Sequence, residues 1–194
     1  MTDIPNGPQP SLGKGKGFEL IPHPDFPSTA ISSISVEVEE ADGSLNLTYR
    51  VAGAIDAVLW PIPGRGGHAD GLWEHSCFEA FVGRVGEAGY TELNLATSGQ
   101  WAGYEFDGYR AGMTAIEGMW IARNVGFGSD MLEFSASTEL PILSRGGDWE
   151  LGLSAIIEAK DGSKSYWALA HAPGPPDFHN RDCFTARLAA PSAA

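Results

Sequence analysis

The chain has 194 residues, 43% of them hydrophobic, with 25 acidic against 12 basic residues and a formal net charge of −13. That is enough apolar material for one sizeable core and one domain, while the negative charge and the lack of any Lys/Arg cluster exclude nucleic acid and anionic membranes as partners. Twenty-five Gly and 13 Pro leave few windows long enough for an ordinary helix, which points to an all-β chain.

Met1 to Gly17 is rich in Pro, Gly, Asn and Lys and reads as a flexible leading segment, with the single domain spanning 18–190. It lacks the apolar run of a secretory leader, and no later stretch reaches the length of a membrane-spanning helix. Read as it stands, the sequence predicts a cytoplasmic protein; a removed leader would leave the same sequence. Phe18 to Ile21 reads as a short strand, and His23-Pro24-Asp25-Phe26-Pro27 as a loop, because proline offers a ladder no donor. Ile34, Val36 and Val38 alternate with polar neighbours, as do Leu45, Leu47, Tyr49 and Val51 beyond Ala41-Asp42-Gly43-Ser44, which is a hairpin signal. Ile55 to Trp60 is a further apolar run, and the glycine-rich stretch Gly64 to Gly71 reads as a mobile loop.

Leu72 to Val82 is the longest clean alternation and the richest in chemistry. Read as one strand, it puts Phe78, Ala80 and Val82 on one face and Trp73, His75, Cys77, Glu79 and Phe81 on the other. Tyr90 to Thr97 follows a turn, with Thr91, Leu93 and Leu95 opposed to Tyr90, Glu92 and Asn94; Trp101 to Asp107 then completes a meander. If the polar faces register, Trp73, Glu79, Asn94 and Trp101 share one surface.

Four more strands are expected over Trp120 to Phe127, Met131 to Leu140, Trp149 to Ala159 and Ser165 to His171, parted by turns that set Gly beside Asp or Ser. Leu132, Phe134, Ala136 and Leu140 form one core row; Leu151, Leu153, Ala155 and Ile157 form another. About ten short strands in one domain predict a two-sheet antiparallel β-sandwich of jelly-roll or immunoglobulin-like type. Ala172 to Phe184, proline-rich and carrying His179, Arg181 and Asp182, is suited to walling a site. Cys77 and Cys183 lack zinc or redox spacing and are expected to be buried free thiols.

Three pieces, in order, carry a resemblance: Leu72-Trp73-Glu74 with Cys77-Phe78-Glu79-Ala80-Phe81-Val82; Tyr90-Thr91-Glu92-Leu93-Asn94 with Gly99-Gln100-Trp101-Ala102-Gly103-Tyr104; and Pro176-Asp177-Phe178-His179 with Phe184. Together they cover most of Leu72 to Leu188, and the pattern resembles the DOMON-like domains related to family 9 carbohydrate-binding modules. The resemblance implies a β-sandwich that binds a sugar or, in other branches, haem, without catalysis. It also implies that the loop from Phe178 to Asp182, with Arg181 as a hydroxyl donor, lies near the ligand.

Sugar recognition suits these residues, because an aromatic ring covers the apolar face of a pyranose while carboxylates and amides bond its hydroxyls. The candidate ligand-binding set is Trp73, His75, Glu79, Asn94, Trp101, Trp167, His171 and Arg181. Trp73, Trp101 and Trp167 compete with a core role, and His179 is expected to brace the proline loop through backbone hydrogen bonds. The expected function is non-catalytic binding of a small polar ligand, a saccharide or glycoconjugate, with no cofactor. A haem-binding electron-transfer domain is the alternative, drawing on Met113, Met119, Met131, His75 or His171. A glycosidase using Glu79 and Glu92 is the third reading. Asp42-Gly43 and Asp161-Gly162 read as hairpin turns rather than calcium loops. The sequence leaves oligomeric state open.

Overall fold

The computed structural model describes residues 15–41, 43–140, 142–143 and 147–188. Its strands are β1 (Lys16–Pro22), β2 (Ile31–Ala41), β3 (Ser44–Gly53), β4 (Gly67–His68), β5 (Cys77–Arg84), β6 (Tyr90–Leu95), β7 (Gln100–Phe106), β8 (Thr114–Ala115), β9 (Ala122–Phe127), β10 (Met131–Glu139), β11 (Trp149–Glu158), β12 (Lys164–Ala168) and β13 (Ala186–Leu188). Among the described residues the helical pieces are short 3-10 turns, so the expectation of an all-β chain holds. No described helix is long and apolar enough to cross a membrane.

The strands form one strongly curled sheet in the order β4-β7-β6-β5-β11-β12-β1-β2-β3-β10-β9, with β13 beside β11 and β8 beside β7. The curl turns at β1, whose first part pairs with β2 (Phe18 opposite Val36) and whose last two residues pair with β12 (Ile21 opposite Ala168). Two separate sheets were the expectation from the sequence; sharing β1 joins the two limbs into a half-barrel. Lys16 and Gly17 pair with Val38 and Glu37 and so belong to a strand rather than to a loose leader. Residues 1–14, Asp42 of the first hairpin turn and residues 144–146 of the turn before β11 lie outside the described residues.

The core lies between the limbs. From one side come Ile34, Val36, Leu47, Tyr49, Val51, Leu132 and Phe134; from the other come Phe78, Ala80, Val82, Leu93, Leu151, Leu153 and Trp167. Phe78 sits at its centre, stacked on Tyr49 at 4.6 Å and on Phe134 at 5.0 Å. Strand alternation built these rows, as a half-buried antiparallel sheet requires. A second apolar cluster lies on the opposite face of β5, β6, β7, β11 and β12. It comprises Phe81, Tyr90, Tyr104, Phe106 and Ile156, under Phe178, Cys183 and Phe184 of the proline-rich segment.

The strand expected over Leu72 to Val82 is a strand only in its second part. Leu72–Glu74 is a 3-10 turn entered through Gly71 at φ 73°, and β5 begins only at Cys77. Alternation of residue types cannot register the left-handed backbone that glycine supplies here. Ile55–Ala57 is likewise a 3-10 turn, and the Trp60 indole closes it by donating to the Ile55 carbonyl at 3.0 Å.

Cys77 and Cys183 are both buried and unbridged. Burial pushes both thiols up, further for Cys77, where Glu79 adds negative charge. Native protein at pH 8 should therefore react slowly with a thiol reagent, and unfolding should release two reactive thiols. Recovery of a 77–183 disulfide from protein purified under alkylating conditions would refute this.

Candidate functional site

The outward face of β5, β6 and β7 holds the chemistry. Register sets Glu79 opposite Asn94, Phe81 opposite Glu92 and Gly83 opposite Tyr90. On the next pair, Asn94 faces Ala102, Glu92 faces Tyr104 and Tyr90 faces Phe106. Glu79, Phe81, Glu92, Tyr104 and Phe106 thus form the wall of a cleft of about 530 Å³. Ile156 of β11, Tyr166 of β12, Trp73, and Arg110 and Met113 of the loop after β7 also line it, together with Pro176, Phe178 and His179.

Both carboxyls are buried, Glu79 at 3% exposure and Glu92 at 5%. Burial, then the neighbouring Glu92, raises Glu79 to about 8, although Ser154 donates to its Oε2 at 3.0 Å. Burial also raises Glu92, against the help of Asn94, whose Nδ2 donates to Oε1 at 2.7 Å. His179 is pushed down to about 4 by burial and by the positive charge of Arg110, so its imidazole is neutral at pH 7. The Tyr90 hydroxyl accepts from the Arg110 backbone N–H at 3.2 Å and meets His179 Nδ1 at 2.8 Å. That arrangement suits a tautomer with the ring proton on Nε2, which lies 3.6 Å from Glu92 Oε2, too long for a hydrogen bond.

Arg110 is set by its own backbone, at φ 51° in the left-handed region. Its Nη2 donates to Asp177 Oδ1 at 2.9 Å, and the Tyr109 hydroxyl donates to Asp177 Oδ2 at 2.8 Å. Burial works against ionised Asp177, yet these two bonds and the Arg110 charge hold it below the usual carboxylate range. This clamp ties the loop after β7 to the proline-rich segment, closing the cleft with pieces far apart in sequence. Across the cleft the Tyr104 hydroxyl donates to Asp70 at 2.5 Å, and the Trp73 ring stands edge-on to Tyr104 at 6.2 Å.

Of the residues expected to bind ligand, Trp73 and Glu79 reach the cleft, and buried Asn94 supports it through Glu92. Trp73 is 41% exposed, as a platform requires, but it is carried by the turn and not by the strand. His75 lines a separate depression of about 580 Å³ that shares Trp73, and its Nδ1 lies 2.7 Å from Glu158. Trp101 pairs opposite Leu95, a residue of the core face, and packs on the core. Trp167 is buried in the core, its indole donating to Ser165. His171 contacts the Ile21 carbonyl and stacks edge-on with His23.

Arg181 lies outside the cleft lining. It fills the space left by Gly83, where a Cβ would collide with it, and binds Glu150 and the carbonyls of Arg84 and Glu87. The haem-reading methionines scatter: Met113 lines the cleft, Met119 packs on the core against Gly103, and Met131 is half-exposed on β10. His179, expected to brace the proline loop through backbone groups, instead bonds Tyr90 and lines the cleft. No group of three or more His, Cys, Asp or Glu side chains among the described residues is placed to hold a metal ion.

The candidate binding set left out Phe81, Tyr104, Phe106, Arg110, Ile156, Tyr166 and Phe178, although Phe81 was expected on the face of Glu79 and the loop from Phe178 near the ligand. Alternation along β7 already separates Ala102, Tyr104 and Phe106 from Trp101, Gly103 and Glu105; which row meets Glu92 follows only from register.

No known family profile matches the chain, and no curated protein matches it in sequence. Among solved structures it is similar to a candidate carbohydrate-binding protein from Bacteroides uniformis, with a TM-score of 0.66 at 16% identity, over 90% of this chain and 85% of that one. A family 9 carbohydrate-binding module from Caldicellulosiruptor kristjanssonii, in complex with cellotriose, aligns at a TM-score of 0.46 and 12% identity over 81% of this chain and 75% of its own. The likeness to the first protein is one of fold.

Proposed function

We propose that the chain is a non-catalytic carbohydrate-binding domain and that the cleft beside Trp73 is its binding site. The observation that carries this reading is the pairing, in one cleft, of aromatic side chains (Trp73, Tyr104, Phe106, Tyr166, Phe178) with buried hydrogen-bonding groups (Glu79, Glu92, His179). Rings cover the C–H faces of a pyranose and fixed polar groups take its hydroxyls. The fold likeness to a candidate carbohydrate-binding protein supports the reading. Glu79 and Glu92 are diagonal neighbours on adjacent strands of one face, so both approach a ligand from the same side. A glycosidase instead sets its two carboxyls on either side of the scissile bond.

Trp73→Ala tests the site. Losing the platform should weaken saccharide binding by ~30-fold, about 2 kcal/mol. Because Trp73 is 41% exposed and sits on a turn, the melting temperature should fall by less than about 4 °C. Glycan-array screening followed by calorimetry of both proteins reads the first quantity, and thermal melts the second. Unchanged affinity for the glycan selected on the array would place the site elsewhere.

A further inference from the structure

We infer that the saccharide taken by this cleft carries a free primary amine, whose ammonium sits between the Glu79 and Glu92 carboxyls inside the ring of aromatic side chains. The inference rests on the carbohydrate reading and narrows it to amino sugars.

The charge balance of the lining carries the argument. Two carboxyls stand on the cleft wall, and among the described lining residues Arg110 is the one Lys or Arg side chain. The Arg110 charge favours both carboxylates through space, but its guanidinium is bonded to Asp177 at 2.9 Å and makes no hydrogen bond to Glu79 or Glu92. Glu79 Oε2 is met by the neutral hydroxyl of Ser154 and Glu92 Oε1 by the neutral amide of Asn94. Glu92 Oε2 faces the neutral His179 ring at 3.6 Å. Each acid therefore has neutral hydrogen-bonding partners and no dedicated counter-charge, an arrangement that is costly for ionised groups this deeply buried.

A hydroxyl-only sugar would add hydrogen bonds but bring no positive charge to either carboxyl. An ammonium supplies three donors and the missing charge together. The aromatic side chains of Trp73, Phe81, Tyr104, Phe106, Tyr166 and Phe178 line the cleft and suit a desolvated cation, and a net charge of −13 draws cations toward the protein. The proton balance gives a second signature. Glu79 retains its proton up to about pH 8, set among Glu92 and Cys77 on its own face, Arg110 and His179 across the cleft, and the Tyr49 hydroxyl at its carbonyl. An incoming ammonium favours the carboxylate, so Glu79 releases its proton to solvent as the ligand binds.

Calorimetry at pH 7 should compare glucosamine and galactosamine with their N-acetylated forms, with glucose and galactose, and with ethanolamine as a sugarless ammonium. One of the two amino sugars should bind at least tenfold tighter than its acetylated and neutral counterparts. Measurement in buffers of different ionisation enthalpy should show release approaching one proton. Glu79→Gln, an isostere of the protonated acid, should cut the preference to about twofold or less and abolish the proton release. Equal or tighter binding of the neutral or acetylated sugars would overturn the inference and leave the carbohydrate reading standing. Ethanolamine binding as tightly as the amino sugars would overturn it by removing the sugar from the recognition. Failure of all these sugars to bind overturns it as well, and failure of the glycan array in addition overturns the carbohydrate reading.

Discussion

Raising the pH from about 4.5 to about 8 should destabilise the wild-type protein by roughly 3–6 kcal/mol relative to Glu79→Gln. The sign follows from which state holds the proton. In the unfolded chain Glu79 titrates near 4.5, and in the folded protein burial beside Glu92 keeps it protonated up to about 8. Between those values the unfolded state binds fewer protons, so stability falls as pH rises and levels off above about 8. At about 1.4 kcal/mol per pH unit, the interval sets the magnitude. His179 acts in the other direction, since a buried ring that titrates near 4 loses stability as pH falls through the range below 6.5. It is present in both proteins, so the comparison reports Glu79 together with its coupling to Glu92, which burial also raises. Urea unfolding of the pair at several pH values measures the difference. A constant difference from pH 4.5 to 8 would mean that Glu79 is ionised in the folded protein at neutral pH, contrary to its burial.

Phe78→Ala should cost roughly 3–5 kcal/mol and lower the melting temperature by about 8–15 °C. Phe78 is 1% exposed, and its ring stacks on Tyr49, Phe134 and Trp60. Truncation would open a cavity where the two limbs of the sheet meet, walled by rings fixed in opposing strands that can collapse only partly. The Tyr49 hydroxyl, which crosses the core to donate to the Glu79 carbonyl at 2.7 Å, would lose the ring that positions it. Denaturant unfolding of the variant measures the cost. A loss below about 1 kcal/mol would mean that the limbs do not depend on this stack. Together with Trp73→Ala, the experiment separates the two parts of one short region, because Phe78 is buried in the core and Trp73, five residues earlier, stands half-exposed at the cleft.

The alternation of Phe78, Ala80 and Val82 against Cys77, Glu79 and Phe81, and of Leu93 and Leu95 against Glu92 and Asn94, was legible in the sequence. Strand side chains alternate whatever lies on either side, and only the apolar rows could enter the core. The same logic gave the first hairpin and the rows of β10 and β11. It gave the identity of the two carboxyls but not their state. Nothing along the chain says that Glu79 is 3% exposed or that Asn94 is spent on Glu92.

Tertiary structure alone decided the rest. Gly71, at φ 73°, takes Trp73 off the strand and turns it toward Tyr104. Trp101 falls to the core side because Leu95 is its partner, and a register of that kind depends on turn geometry rather than composition. Arg110 and His179 meet in the cleft through Asp177 and Tyr90, across nearly 70 residues of chain. Local sequence sets which face of a strand a residue occupies, because the period of two is a property of the backbone. Which strands and loops come together depends on long-range pairing, so the sequence by itself determined the faces and the folded chain decided the cleft.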